Sequence, residues 1–269
     1  MPVRDLQELM SAKRGLRVIG DVHGCSNAFA SVVADARRNE LAVLSLGDIV
    51  DRGPDSVGAM RIMMDLLETG DGEIVPGNHD DKLRRYLKGA NVLVAPGSGL
   101  DDTIAELKAS FDGYAVAQDF GAAISDRPMW LVAGGYVFVH AAFHLSMLDQ
   151  VPGAPLHQKN RLGEVAFLAL YGETDGTLEP NGKPVRTYRW LDTVPAGYTV
   201  VIGHDAVSFE RPVLRTGALG GSAIHLDTGV DRGGRLSWID IPREALLGRD
   251  PAPFKSASST YPVAGDLAA

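Results

Sequence analysis

The chain of 269 residues has a single cysteine, Cys25. An internal disulfide is excluded, and a reducing compartment is expected. Long apolar runs are also missing. The opening "MPVRDLQELM" carries charges where a secretory signal needs an uninterrupted apolar segment, and no later run reaches membrane-spanning length. A soluble, cytoplasmic protein with no membrane partner is expected. Positive charge is in deficit, with 26 Lys and Arg against 34 Asp and Glu and a formal net charge of -8. Such a balance does not coat a nucleic-acid backbone with cations, although action on a single nucleic-acid end stays open. No GxxxxGK[ST] phosphate-binding loop occurs, so no kinase module is expected in this chain.

What is present is a series of short β-rich runs. "LRVIG" precedes Asp21, "LAVLSLG" precedes Asp48, "GEIVPG" precedes Asn78, "YVFVH" ends at His140 and "YTVVIGH" ends at His204, followed by "SAIHLD" and "RLSWIDI". Each of the first five delivers a polar or ionisable residue at one edge of a sheet. Asp21, Asp48 and Asn78 are 27 and 30 residues apart, room for helical crossovers between parallel strands. "SNAFASVVADARRN" and "SVGAMRIMMDLLETG" have the apolar spacing of those helices, with Ser26 and Ser56 expected as N-caps and Gly70 at the C-terminal end of the second. The unit reads as β-α-β-α-β.

Further helices are expected at "DDTIAELKASF" and "LGEVAFLALYG", as insertions that cap the site. "DTGVDRGGRLS" reads as a hairpin turned at Gly233 and Gly234. Residues 1–249 are expected to form one domain, and 250–269, "DPAPFKSASSTYPVAGDLAA" from residue 250 onward, a low-complexity surface tail without chemistry.

The strand ends collect Asp21, His23, Asp48, Asp51, Arg52, Asn78, His79, His140 and His204. Carboxylate, imidazole and one amide oxygen make a mixed N/O donor set suited to divalent transition metals. Taken singly, each residue reads as a turn, a cap or a satisfied polar group. Their joint arrival after successive apolar strands is what favours a metal site. Asp21 and His23 are two apart, so in extended backbone both side chains leave on one face and can meet one ion.

"GDVHG", "GDIVDRG", "GNHD", "FVHAAFH" and "VIGHD", in that order, resemble the calcineurin-like metallophosphoesterases, within them the phosphoprotein phosphatase branch. "GDIVDRGPDS", "VPGNHDDKLRRYLKG", "LALYGETDG" with "GKPVR", and "HLDTGVDRGGRLS" further resemble the phosphatase domain of bacterial polynucleotide kinase-phosphatase, from about Leu16 to Ile241. The resemblance implies an α/β fold of two mixed β-sheets sandwiched between helices. It also implies a dinuclear centre, with Mn²⁺ favoured and Ni²⁺, Fe or Zn²⁺ also fitting the donors. By match to the family pattern, Asp48 bridges the two ions, Asp21 and His23 complete the first site, and Asn78, His140 and His204 complete the second. His79 takes the role of general acid, Asp51 accepts a hydrogen bond from it and favours its cationic form, and Arg52 clamps phosphate oxygens. Asp227 has a substrate-side position in the resembling family and an alternative as a turn residue. Cys25 and His144 read as packing and bystander residues.

Two departures stand out. Asp205 follows His204, where it can orient the imidazole or repel an anionic substrate, and "HAAFH" replaces the family's "HAG". The expected function is hydrolysis of phosphomonoesters, and of 2′,3′-cyclic phosphodiesters, by water activated between two metal ions. Nucleotides and RNA ends come first as partners, with the positively charged "KLRRYLKG" and "GKPVRTYR" as candidate grips. The alternatives are a serine/threonine protein phosphatase, a dinucleoside tetraphosphate hydrolase and, from another class, a binding protein without turnover.

Overall fold

A computed structural model describes residues 6–149, 163–180, 182 and 184–248. The expected tail, 250–269, and the domain boundary at 249 lie outside the described residues. In chain order the elements are α1 (Leu6–Leu9), β1 (Gly15–Ile19), α2 (Ser26–Arg38), β2 (Leu41–Ser45), α3 (Ser56–Thr69) and β3 (Gly72–Ile74). Then come α4 (Asn78–Leu87), α5 (Leu100–Ala109), α6 (Gly113–Ser125), β4 (Trp130–Ala133), β5 (Tyr136–Val139) and α7 (Glu164–Tyr171). The remainder is β6 (Glu173–Leu178), β7 (Pro184–Thr187), β8 (Thr199–Ile202), β9 (Val213–Thr216), β10 (Ser222–His225), β11 (Trp238–Pro242) and α8 (Arg243–Leu247).

One sheet runs β11-β1-β2-β3, with β1, β2 and β3 parallel and β11 antiparallel. The other runs β4-β5-β8-β10-β9, with a parallel centre and antiparallel edges. Both sheets are mixed, as expected. The two-residue period of a strand decides which layer each side chain joins. Leu16, Val18 and Leu44 meet Phe138, Val201 and Ile224 between the sheets, whereas Val43 faces α2 and α3. Val137, Val139, Val200 and Ile202 turn the other way, onto α7 and Trp190. Each such fully buried side chain contributes about 1.5–3 kcal/mol. The result is helix, sheet, sheet, helix.

The seven expected strands are all present, and four more appear among the described residues. β4 pairs with β5 across Gly134 and Gly135, both at positive φ, so the "GG" between two apolar runs was a hairpin signal. β6 and β7 form a separate, largely exposed hairpin, and β9 is an edge strand. The hairpin expected at "DTGVDRGGRLS" is not one. Its flanks, β10 and β11, belong to different sheets, and the segment crosses between them through a short 3₁₀ turn, Val230–Arg232. The N-caps also lie one residue earlier than expected. Asp55 accepts from the Gly58 amide at 2.8 Å, and Ser56 is the first helical residue of α3. Cys25 occupies the cap position of α2 with no side-chain bond, and Ser26 Oγ instead donates to Asp55 at 2.5 Å. Gly70 is left-handed, as a helix end requires.

The insertion does not form a cap. Leu100, Ile104, Leu107, Phe120 and Ile124 join Phe29 and Met60 in one core, so α5 and α6 thicken the helical layer outside the first sheet. Part of the "KLRRYLKG" charge is likewise engaged in the fold. Arg84 is buried and paired with Asp81 at 2.5 Å, and Lys82 donates to the Ser98 carbonyl.

Candidate metal centre

The parallel strands β1, β2 and β3 of one sheet and β5 and β8 of the other end side by side, which brings the expected residues to one place. Two tight glycines let the loops close. A Cβ on Gly77 would lie 2.1 Å from Asp48 Oδ1, and one on Gly203 would lie 2.2 Å from Asp21 Oδ1. Five site residues hold left-handed backbone: His23, Asp48, Asp51, Arg52 and His204, with φ of 44°, 50°, 74°, 71° and 69°. Such conformations are costly for residues with side chains and persist where the surroundings impose them.

Asp48 stands at the centre. Its Oδ1 accepts the His79 amide at 2.8 Å, which leaves Oδ2 3.8 Å from His23 Nε2 and 3.5 Å from His140 Nε2. That oxygen therefore faces two clusters at once. In the first, Asp21 Oδ2 lies 3.6 Å from His23 Nε2 and, though fully buried, has no hydrogen-bond partner. In the second, Asn78 Oδ1 and His204 Nδ1 each lie 3.1 Å from His140 Nε2. Groups within 4.8 Å of one another are His23, Asp48 and His79, and Asp48, His140 and His204.

The tautomers explain what this arrangement accepts. His23 Nδ1 donates to the Val50 carbonyl at 3.0 Å and His140 Nδ1 to the Leu46 carbonyl at 2.7 Å, so both Nε2 atoms turn lone pairs inward. Lone pairs of Asp48, Asn78 and His140 thus converge with no proton between them. Buried acceptors that face one another need a cation; the Arg52 guanidinium reaches His23 Nε2 at 2.8 Å, and the oxygen and nitrogen ligand atoms fit a divalent transition metal.

Burial dominates the electrostatics. It pushes the carboxyls of Asp21 and Asp48 well above the ordinary range, helped at Asp21 by the Asp227 and Asp48 charges and at Asp48 by Asp80. It lowers His140 to about 3 and pulls His23 and His204 well down. Neutral imidazole is the metal-ligating form.

Beside this pair, His79 Nδ1 donates to Asp51 Oδ2 at 2.6 Å, and Arg52 reaches both His79 Nε2 and His23 Nε2 at 2.8 Å. The expected gain of the cationic form at His79 is opposed here. Burial and then the Arg52 and Lys82 charges hold it well below the ordinary value, with Asp51 itself raised by burial to about 6.

Asp227 takes the turn role: its Oδ1 accepts the Gly229 amide at 2.8 Å, while its buried Oδ2 has Arg232 3.7 Å away. Asp205 accepts from the Tyr188 hydroxyl and not from the His204 imidazole, whose Nε2 has no partner. His144 caps a 3₁₀ turn through Ser146, and Cys25 is buried with its thiol raised to about 11, consistent with bystander roles.

Three contributors were not singled out as site residues in the sequence. Arg186, on the β6–β7 hairpin, and Arg232, after Asp227, line a cavity of about 380 Å³ over Asp48, Asn78 and His204, together with Arg52. The signal for Arg186 was the charge of "GKPVRTYR". Asp80 accepts from Ile49 N and Gly77 N at 2.8 and 3.0 Å, tying the Asp48 loop to the start of α4. The departure "GNHD" had marked its position.

A family model of calcineurin-like phosphoesterases matches residues 16–231. The chain belongs to that family. It is therefore a metal-dependent phosphoesterase, with an α/β fold and divalent metal ions implied. Among curated proteins, a bis(5′-nucleosyl)-tetraphosphatase from Bacillus velezensis is 31% identical over 86% of this chain and 90% of its own length. The one from Bacillus subtilis is 29% identical over 84% and 90%. Among solved structures, a protein serine/threonine phosphatase from Saccharomyces cerevisiae superposes with a TM-score of 0.58 over 94% of this chain and 81% of that one. At 13% identity this shows the fold alone. No helix among the described residues is long and apolar enough to cross a membrane.

Proposed function

We propose that this phosphoesterase acts on nucleotide substrates at a dinuclear centre held by Asp21, His23, Asp48, Asn78, His140 and His204. The observation that carries the reading is Asp48 Oδ2, set between two converging acceptor clusters. When bound, two divalent ions, with Mn²⁺ favoured, supply charge neutralisation and acidify water for attack on phosphorus. Arg52 grips non-bridging phosphate oxygens with its fork of donors. That movement takes the guanidinium off His79 Nε2, and the substrate's negative charge raises the imidazole's basicity. His79 then holds a proton on Nε2 for the departing oxygen while Asp51 keeps Nδ1–H in place. Water adds to phosphorus and gives up a proton to solvent, the ester or anhydride P–O bond breaks, the leaving oxygen takes the His79 proton, and solvent returns one to His79.

Two substrate readings stand. Hydrolysis of phosphomonoesters and 2′,3′-cyclic phosphodiesters rests on the motifs likened to the polynucleotide enzyme. Hydrolysis of a dinucleoside tetraphosphate is favoured by the named activity of the Bacillus relatives, and three guanidinium groups around one cavity suit several linked phosphates. Metal-stripped protein reloaded with Mn²⁺ is assayed for kcat/KM on diadenosine tetraphosphate, 2′,3′-cyclic AMP and a phosphothreonine peptide. The highest value on either nucleotide supports the proposal and chooses between its readings. The highest value on the peptide replaces it with a protein phosphatase.

A further inference from the structure

Helix α5 reaches the chemistry from behind. Thr103, fully buried, donates its hydroxyl to Asp51 Oδ1 at 2.7 Å, while Asp51 Oδ2 takes His79 Nδ1–H at 2.6 Å. Thr103 Oγ1 also lies 3.1 Å from Ser56 Oγ, which accepts the Asp51 amide at 3.2 Å. Proton accounting gives these contacts a direction. An ionised carboxylate only accepts, so Thr103 spends its single proton on Asp51, and the Ser56 hydroxyl is left to donate to Thr103 or to the Glu106 carboxylate beside it. Asp51 is thus held at two points, its N–H donating to Ser56 Oγ and its carboxylate accepting from Thr103, with the two hydroxyl oxygens 3.1 Å apart.

The same helix presses on the loop in two further places. A Cβ on Gly99, just before α5, would come within 2.9 Å of Asp51 Cβ and 3.1 Å of Arg52 Cγ. Glu106, one turn on, accepts the Val57 amide at 3.2 Å in the first turn of α3. The left-handed Asp51–Arg52 backbone is thus held between α3 and α5. With both carboxylate oxygens committed, Asp51 has one orientation in which to face the imidazole.

We propose that Thr103 is a positioning residue for proton donation, fixing the Asp51 carboxylate so that His79 Nε2 points at the leaving oxygen. This rests on the general-acid reading of His79. A group that protonates the leaving oxygen matters most when that oxygen is a poor leaving group, and little when it departs unaided. A merely structural role would slow both alike.

The test uses full-length, Mn²⁺-loaded enzyme and compares kcat on phenyl phosphate with kcat on 2,4-dinitrophenyl phosphate for the wild type, Thr103→Val, Thr103→Ser and His79→Asn. Expected for Thr103→Val is a loss of about tenfold or more on phenyl phosphate and under about twofold on the activated ester, with Thr103→Ser restoring most of it. In metal-free protein, the downfield proton resonance of His79 Nδ1–H, identified by its absence in His79→Asn, should move upfield in Thr103→Val and return in Thr103→Ser. If Thr103→Val does not fold, Thr103→Cys, a weaker donor of similar shape, takes its place in the comparison. Equal losses on both esters, or none, with His79→Asn still discriminating between them, overturn the role of Thr103 alone. Failure of His79→Asn to discriminate overturns the general-acid reading and this inference with it.

Discussion

At the residue scale, the site concentrates groups that destabilise one another without a cation. Burial raises Asp227 to about 6 from an ordinary 3.8. A carboxyl raised in the folded state binds its proton more tightly there than in the unfolded chain. Its contribution is full below 3.8 and is lost as pH rises through about 6. Asp227→Asn should therefore gain melting temperature relative to the wild type at pH 7 compared with pH 5, measured as the difference between the two proteins by calorimetry in chelator. Asp48→Asn should cut turnover by about 10²- to 10³-fold while leaving the metal-free melting temperature equal or higher, because it removes one like charge from the cluster. Equal activity in this variant and the wild type would remove the two-metal reading. Cys25, its thiol raised to about 11, should resist iodoacetamide at pH 8 in the folded protein and react once denatured, followed by mass spectrometry.

At the scale of elements, the strand-end loops depend on the helices beside them. Asp55 caps α3 and also takes the Ser26 hydroxyl, so it joins the first turns of α2 and α3 beneath the Arg52 loop. Asp55→Ala should cost about 1 kcal/mol, a fall of about 2–4 °C in melting temperature for a chain of this size, read by circular dichroism. The β6–β7 hairpin acts differently. It shares little of the core, yet it brings Arg186, pinned to the Tyr171 carbonyl at the end of α7, into the cavity. Arg186→Gln should raise KM for a polyphosphorylated nucleotide more than for a simple monoester, checked by steady-state kinetics on both.

At the scale of the molecule, the two sheets are separate units of pairing joined mainly by the apolar layer between them and by the site at their common edge. Asp21, Asp48 and Asn78 follow strands of one sheet; His140 and His204 follow strands of the other. An ion held by residues of both sets would tie the sheets together. Adding Mn²⁺ at about 100 times its dissociation constant should stabilise the fold by about 2.7 kcal/mol, seen as a metal-dependent rise in melting temperature absent in Asp48→Asn.

The strands ending at Asp21, Asp48, His140 and His204 were legible because apolar runs of period two, closed by a polar residue, are a local pattern. The α2 and α3 crossovers were legible for the same reason, through their spacing and their ends. The ligand candidates followed from residue type and order. The rest was decided at long range. "DTGVDRGGRLS" has the composition of a turn, but whether its flanks pair with each other or with different sheets depends on partners over 200 residues away in sequence, such as Leu16 opposite Ile241. Thr103 looks like any polar residue on a helix until α5 packs on α3 and brings its hydroxyl to Asp51. Arg186 was visible as charge, and Arg232 as one more arginine after a turn; only the meeting of the hairpin and the crossover segment over the strand ends put them in one cavity. Sequence alone thus determined the chemistry each strand end carries, since that follows from covalent identity and local periodicity. Tertiary structure decided which of those groups share a lone-pair cluster and which remote side chains orient them, because hydrogen-bond direction and burial arise only when distant segments meet.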